Sequence, residues 1–480
     1  MKSFKAHVIR LLPKNQFARG VSLLVGGTAG SQLLMVLAAP LLTRFYGPDD
    51  FGLLAVYGGL LGVFAVVASL RYELAIPLPE DEQEAAHVVV LSLGVVVGMT
   101  ALSALIVWFA GDFIAHRLGV PRLAGFLWLL PVGVALMGTY QVFSFWAIRT
   151  KQFSTIARTR IRQTLTTLAI QILGVKAGGI TLLFGHAGGQ GMGSITLAKS
   201  ALSRPEFKGI SWYGICRVAA RYRKFPLFST WGGVFNVAGQ QLPPLMFAAL
   251  FSASAAGLYA LALRVLAIPM SIVGQAIGNV FFSNAAEAYR EGRLGSLVIS
   301  VHDKLAHVAM PMALILIVAG PQLFTVVFGD QWEMAGEFAR WMAPWLYITF
   351  ITSPLSTLFS VMEEQRQGLV FQVVLLMVRV MAIGIGAWLN DLMLSVILFS
   401  LVSTLCWIGF LIWIIIKSDN PVSTLIKPTL LALAVSLVCV LPVVLALWLV
   451  NGTDLWMWAL PVTGALVAAR YWTLFRKAYQ

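Results

Sequence analysis

Apolar residues run in blocks along almost the whole 480-residue chain. Most blocks have the roughly 20 residues that an α-helix needs to cross a hydrocarbon core of about 30 Å. They predict helices over 20–42, 51–70, 86–110, 122–148, 157–175, 178–198, 225–249, 255–283, 305–327, 337–360, 368–389, 391–416, 428–450 and 455–473. The expected fold class is therefore an all-α polytopic membrane protein with about 14 transmembrane helices. The fifth and sixth blocks are the weakest, because a glycine-broken stretch, Gly174 to Gly179, divides them. The first block follows a basic segment but is too long for a cleaved signal sequence and ends without a small-residue cleavage site, so it is expected to stay as a first helix.

Composition agrees: 59% of the residues are hydrophobic and 11% charged, and the mean hydropathy of +0.84 excludes an ordinary soluble domain. The longest polar break, 199–224, is too short for a globular lobe, which disfavours a membrane enzyme with a soluble catalytic domain. A net charge of +14 admits nucleic acid or anionic lipid as partner. With the N-terminus cytoplasmic, 27 of the 34 Lys and Arg fall on the cytoplasmic side, and only Arg44, Arg117, Arg122 and Lys176 on the other. That asymmetry sets both termini inside and accounts for most of the charge without nucleic acid.

Two short matches point to an internal repeat. Ala29-Gly30-Ser31-Gln32-Leu33 pairs with Ala238-Gly239-Gln240-Gln241-Leu242, and Phe51-Gly52-Leu53-Leu54-Ala55 with Ala256-Gly257-Leu258-Tyr259-Ala260. Helices 1 and 2 thus correspond to helices 7 and 8. An even number of helices separates them, so the halves share one orientation about an axis along the membrane normal. The expected domains are a six-helix lobe over 1–200, a second over 201–416, and two additional helices over 417–480.

Candidate chemistry lies in the few polar residues inside the blocks. Arg264 shares a helix face with Ser271 and Gln275, Arg379 lies near the middle of helix 11 with Gln372 on the same face, and Arg340 follows Glu337 by three residues. An arginine in hydrocarbon is costly unless it faces a partner or a water-filled cavity. Arg264 could alternatively reach the headgroups, and Arg340 could be no more than an ion pair. Asn236 and Gln240 on helix 7, and Thr28 and Gln32 on helix 1, have i,i+4 spacing that suits either a cavity wall or contacts between helices. No Asp or Glu falls in the middle of a predicted span, so the interior suits an anionic group, and guanidinium forks fit phosphate oxygens.

Gly185, Gly189 and Gly193 form a small-residue row read as close helix packing. His186 beside it is a packing residue or a proton carrier. Cys216, Cys406 and Cys439 are widely spaced and indicate neither a disulfide framework nor a metal site. The absence of a P-loop, GxSxG, HExxH or paired carboxylates leaves no catalytic residue, metal or cofactor to expect.

The run FARGVSLLVGGTAGSQLLMVLAAPLLTRFYGPDDFGLLAV followed by SLRYELAIPLPEDEQEA, and the later YRKFPLFSTWGGVFNVAGQQLPPLMFAALFSASAAGLYALALRVLAIPMSIVGQAIGNVFF, resemble the starts of the two halves of bacterial Wzx-type oligosaccharide flippases. These form the polysaccharide transporter branch of the multidrug/oligosaccharidyl-lipid/polysaccharide (MOP) exporter superfamily. The resemblance implies a MATE-like fold of two six-helix bundles plus two C-terminal helices in the bacterial inner membrane. It implies transport of undecaprenyl-diphosphate-linked oligosaccharide to the outer leaflet for O-antigen, capsule or exopolysaccharide, with H⁺ or Na⁺ as coupling ion and polysaccharide polymerase and chain-length machinery as further partners. Arg264, Arg379, Arg340, Gln275, Gln372, Asn236, Gln240, Gln32 and Arg44, the last in LLTRFYG, are then the substrate-contacting candidates, and Arg71 and Glu73, in LRYELAIP, the gating candidates. Rival readings are a multidrug antiporter, which the missing mid-membrane carboxylates disfavour, a peptidoglycan-precursor (lipid II) flippase, and a membrane-embedded glycan polymerase.

Overall fold

The computed structural model describes residues 16–269, 281, 284–285, 287–449 and 456–478. Among the described residues every predicted span overlaps a helix. These are α1 (Gln16–Phe45), α2 (Pro48–Val67), α3 (Glu82–Arg117), α4 (Leu129–Arg149), α5 (Phe153–Leu173) and α6 (Ile180–Leu202), then, after the short α7 (Trp212–Arg221), α8 (Thr230–Leu250) and α9 (Ala253–Pro269). They continue with α10 (Leu294–Phe328), α11 (Glu333–Thr352), the one-turn α12 (Leu358–Val361), α13 (Gln365–Trp388), α14 (Leu392–Lys417), α15 (Ile426–Leu449) and α16 (Trp456–Ala478).

Eight of the described helices are apolar enough to cross a membrane on length and composition alone, which makes the chain a multi-pass membrane protein. Several of the others fall below that mark because they carry polar faces: Gln163, Thr167 and Gln171 on α5, Asn236 and Gln240 on α8, and Glu337 and Arg340 on α11. Contacts divide the chain into two compact units, one ending at Ala260 and the other starting at Leu261.

In the first unit the doubtful fifth and sixth spans are complete helices of 21 and 23 residues. Gln163, Thr167 and Gln171 recur every fourth residue along α5 and meet Gly193, Gly189 and Gly185 of α6. A Cβ added at those glycines would lie 2.1 Å from Gln163 Nε2, 2.1 Å from Thr167 Oγ1 and 2.5 Å from Gln171 Cγ. The glycine row is thus a packing groove, as expected. In lipid such close approach, together with interhelical hydrogen bonds, replaces the hydrophobic drive that water would supply. Gln171 Nε2 donates to the Leu182 carbonyl at 3.1 Å, and Tyr46 Oη donates to the Gln171 carbonyl at 2.6 Å. His186 stands edge-on to the Tyr57 ring at 6.2 Å.

The two members of the second repeat match occupy equivalent places, Phe51 and Ala256 each lying three residues inside their helix. The repeat-equivalent glycines cross each other: a Cβ on Gly52 would meet the Ala253 carbonyl oxygen at 1.8 Å, and one on Gly257 would meet that of Pro48 at 1.9 Å. A reciprocal contact between equivalent residues is what a two-fold relation between repeats produces. Beyond α2, Arg149 at the end of α4 holds the segment leading into α3. Its guanidinium donates to the carbonyls of Pro79 (2.6 Å), Ile76 (3.3 Å), Glu80 (3.3 Å) and Asp81 (3.4 Å) and pairs with Glu82 at 3.3 Å.

In the second unit α10 packs along α11 and α15. Where α10 meets α11, a Cβ on Gly320 would lie 2.7 Å from the Gly336 carbonyl oxygen, so small residues again set the spacing. Phe359, Phe371, Trp407, Phe410 and Trp413 stack and edge into one another at 5.0 to 6.4 Å among α12, α13 and α14. The last two helices tie onto α10: His302 and Thr429 of α15 share a hydrogen bond at 3.1 Å, and Tyr471 of α16 donates to the Val308 carbonyl at 2.7 Å.

Candidate functional site

The first unit gathers four of the sequence-derived candidates. Between α2 and α3 the chain turns through Leu70 and Arg71, both at positive φ, 48° and 63°. That left-handed geometry costs a non-glycine residue on the order of 1 kcal/mol or more. The turn folds Arg71 back beside Glu73, with Nη1 3.7 Å from Oε1. Glu73 is buried and accepts a hydrogen bond from Ser69 Oγ. The Arg71 guanidinium then rests on Gly233 of α8, where an added Cβ would sit 2.7 Å from Nη2 and 2.8 Å from Nε. Its Nε is buried without a hydrogen-bond partner among the described residues, while the side chain keeps 30% of its surface exposed.

Asn236 and Gln240 continue the Gly233 face one and two turns along α8. Both are exposed, and Gln240 Nε2 donates to Asn236 Oδ1 at 3.0 Å. On a spanning helix, exposed amides belong against water or another polar surface, because hydrocarbon leaves their donors and acceptors unsatisfied. A half-exposed guanidinium at the foot of an amide row makes a donor-rich strip suited to an oxyanion and to the hydroxyls of a sugar. The strip starts just after a single π-helical turn, Phe225–Ser229, a local geometry that recurs at functional sites. Of the other candidates on this unit, Gln32 is half-buried in mid-α1 and Arg44 exposed at its end, and neither hydrogen-bonds to the Arg71 group among the described residues.

Arg160 is a residue that the sequence reading missed, since it counted Arg160 among the cytoplasmic-side Lys and Arg. The residue lies two turns into α5, half-buried, and donates from Nη1 to Thr28 Oγ1 of α1 at 3.1 Å. The signal available in the sequence was the three- and four-residue spacing of Arg160, Gln163, Thr164, Thr167 and Gln171, a polar stripe that starts at the cation.

In the second unit Arg379 is held on three sides. Its Nε donates to Ser403 Oγ at 2.9 Å, and its guanidinium carbon stands 5.0 Å from the Trp345 ring centroid and 5.1 Å from that of Phe399. The two rings meet edge to face at 5.1 Å and form a clamp for a planar cation. Gln372, two turns earlier on α13, is exposed. Arg340 is paired with Glu337 at 2.8 Å and reaches the Val318 carbonyl at 3.4 Å, so its charge is already matched. Arg264 is half-buried on α9 and has no hydrogen-bond partner among the described residues. It adjoins Val265 and Leu266, which line an apolar cavity of about 240 Å³ with Met312, Leu346, Tyr347 and Phe350. Gln275 and Ser271, expected beside it, lie outside the described residues.

Comparison with known proteins places this geometry. No curated protein matches the sequence. Among solved structures, a lipid II flippase MurJ in an inward closed conformation matches with a TM-score of 0.74 at 13% identity, over 95% of this chain and 100% of that one. An inward-facing multidrug resistance MATE transporter of the MOP superfamily matches with a TM-score of 0.61 at 14% identity, over 82% and 96%. A MOP superfamily transporter from Pyrococcus furiosus, described as having a binding pocket of reverse polarity, matches with a TM-score of 0.53 at 14% identity, over 86% and 98%. The fold is therefore the MATE-like one that the resemblance implied. The sequence itself matches a family described as "Polysaccharide biosynthesis protein" over residues 41–337, a stretch that holds the reciprocal Gly52/Gly257 crossing, the Arg71 turn and the α8 amide row. With well over half its length inside that match, the chain belongs to the polysaccharide biosynthesis protein family.

Proposed function

We propose that the protein is a flippase that carries undecaprenyl-diphosphate-linked oligosaccharide units from the cytoplasmic to the outer leaflet of the bacterial inner membrane, for O-antigen, capsule or exopolysaccharide assembly. The observation that carries this reading is the donor strip on α8, the Arg71 guanidinium on Gly233 followed by the exposed amides Asn236 and Gln240. A diphosphate needs cationic donors and a glycan needs amides, and without both the head group would enter hydrocarbon stripped of its hydration. Arg264 and Arg379 are the corresponding cations of the second unit. The two lobes rock about the head group in alternating access while the lipid tail stays in the bilayer. Arg71 and Glu73 gate the strip, and H⁺ or Na⁺ supplies the drive. No step of this cycle makes or breaks a covalent bond, so the protein is a transporter and not an enzyme.

Deletion of the gene in the native host, with lipid-linked oligosaccharides and surface polysaccharide assayed together, tests the proposal. Complete lipid-linked repeat units are expected to accumulate as surface polysaccharide disappears. Rescue is expected with the wild-type gene but not with Arg71→Ala, Arg264→Ala or Arg379→Ala at matched protein level. Unchanged surface polysaccharide with new sensitivity to cationic drugs would overturn the reading in favour of a drug exporter. The likeness to a lipid II flippase favours a second reading, export of a peptidoglycan precursor, since the diphosphate chemistry is the same. That reading predicts lethality on deletion.

A further inference from the structure

Helix α7 has a face that none of the described residues covers. Ten residues rise only about 15 Å, half of what crossing the hydrocarbon requires, so α7 is not a span. One side docks on α3 and the turn before it. Val218 is buried, the Ser211 backbone N–H donates to His87 Nε2 at 3.1 Å, and Arg221 pairs with Glu84 at 2.6 Å. Gln83 Nε2 donates to the Gly209 carbonyl at 2.8 Å, and Tyr72 Oη donates to the Ala219 carbonyl at 3.4 Å.

At about 100° per residue, the opposite arc carries Trp212, Cys216, Ala220 and Tyr213 as one strip, with Arg217 and Arg221 along its edge. Trp212 and Tyr213 are 78% and 79% exposed. Large aromatic rings with a polar end are the residues that settle at a membrane–water interface. Charge points the same way, because the break 199–224 has seven Lys and Arg against one acid, Glu206. Lys208, Arg217, Arg223 and Lys224 are exposed and have no ion pair among the described residues. The acids across the docking contact are largely engaged: Asp81 caps α3, Glu82 pairs with Arg149 and Glu84 with Arg221, leaving Glu80.

We infer that α7 lies in the headgroup layer with Trp212 and Tyr213 embedded, and that Arg217, Arg223 and Lys224 bind anionic phospholipid headgroups. The partner is the anionic membrane surface rather than an acidic protein, because an aromatic strip bordered by arginines along a short helix matches an amphipathic boundary. This surface is separate from the donor strip on α8 and holds whether or not the chain moves a lipid-linked glycan. Its docking contacts, Tyr72 and Glu84, tie it to the turn that bears Arg71.

Cys216 sits within the aromatic strip and is exposed, which provides the test. Full-length protein with Cys406 and Cys439 replaced by Ala is labelled at Cys216 with an environment-sensitive fluorophore. It is then reconstituted into phosphatidylcholine vesicles with and without phosphatidylglycerol, and quenched with spin-labelled lipids. The expected result is blue-shifted emission quenched by lipid, with stronger quenching by spin-labelled phosphatidylglycerol than by spin-labelled phosphatidylcholine, a preference that high salt removes. Arg217→Gln with Arg223→Gln should lower the phosphatidylglycerol preference by about fivefold per cation at most without changing the emission. Trp212→Ser with Tyr213→Ser should red-shift the emission while the protein elutes as the same monodisperse peak. Water-like emission in vesicles would overturn the embedding. Equal quenching by the two lipids would overturn the anionic partner, as would a preference that the arginine variant retains.

Discussion

The reciprocal crossing of Gly52 and Gly257 makes a sharp prediction. The atoms facing each missing Cβ are backbone, the Ala253 carbonyl oxygen at 1.8 Å and the Pro48 carbonyl oxygen at 1.9 Å, so no rotamer change can make room. Alanine at either position must push α2 and α9 apart along their first two turns. Overpacking a rigid site costs about 1–3 kcal/mol and sometimes more, and here the upper end applies because the helices themselves must move. The same substitution in open helix is worth about 1 kcal/mol in the other direction. Gly58, in α2 with nothing within 4 Å of its absent Cβ, measures that gain. Gly52→Ala should therefore melt about 5–10 °C below wild type and Gly58→Ala at or slightly above it, at about 2–4 °C per kcal/mol for a unit of this size. The assay is fluorescence-detected size exclusion after heating in detergent. Once one alanine has separated the helices the second meets less resistance, so Gly52→Ala/Gly257→Ala should cost less than the sum of the single variants. A Gly52→Ala protein as stable as wild type, or an additive double variant, would refute the crossing.

Three further outcomes follow from other contacts. Arg149→Gln removes a guanidinium that holds four carbonyls and a carboxylate, so stability should fall by about 2–4 kcal/mol and the 76–82 segment should become the first site of limited proteolysis; unchanged cleavage there would count against its anchoring role. Gly189→Val drives a side chain into Thr167 of α5 and should cost about 1–3 kcal/mol, read as a lower melting midpoint by size exclusion after heating; an unchanged midpoint would argue against the groove. Arg379→Lys keeps the charge but not the planar fork between Trp345 and Phe399, so export of lipid-linked saccharide in the deletion host should drop about tenfold, with Arg379→Ala lower still. Equal export by the Lys variant and wild type would mean that only charge matters at that position.

The helices and their order were legible in the sequence because a span is specified locally. A block of apolar residues long enough to cross the hydrocarbon has few alternatives to a helix, and its backbone hydrogen bonds are all internal. The break at Gly174–Gly179 made the fifth and sixth spans the weakest to read, yet both are complete helices on either side of it. Their Gln and Thr stripe proved to be what fills the glycine groove of α6. The ion pair of Arg340 with Glu337 was likewise legible, since i,i+3 neighbours on one helix meet whatever surrounds them.

The site was legible as residue types but not as an arrangement. Asn236 and Gln240 stand out in any apolar helix, and so does Arg379. That Arg71 reaches Gly233 depends on a left-handed turn at Leu70 and Arg71, which no helical period announces. That Trp345, Phe399 and Ser403, from two other helices, enclose Arg379 depends on which faces of α11 and α14 turn toward α13. Arg160 was misplaced for the same reason, because its depth is set by the packing of α5 on α1 and not by its distance from a polar break. By itself the sequence determined the membrane-spanning helices and the placing of arginines rather than carboxylates in the middle of predicted spans, both properties that a single segment carries whatever packs around it. Tertiary structure alone decided which cations are clamped and which stand beside exposed amides, because in a bilayer helix pairing rests on close side-chain fit between segments distant in sequence.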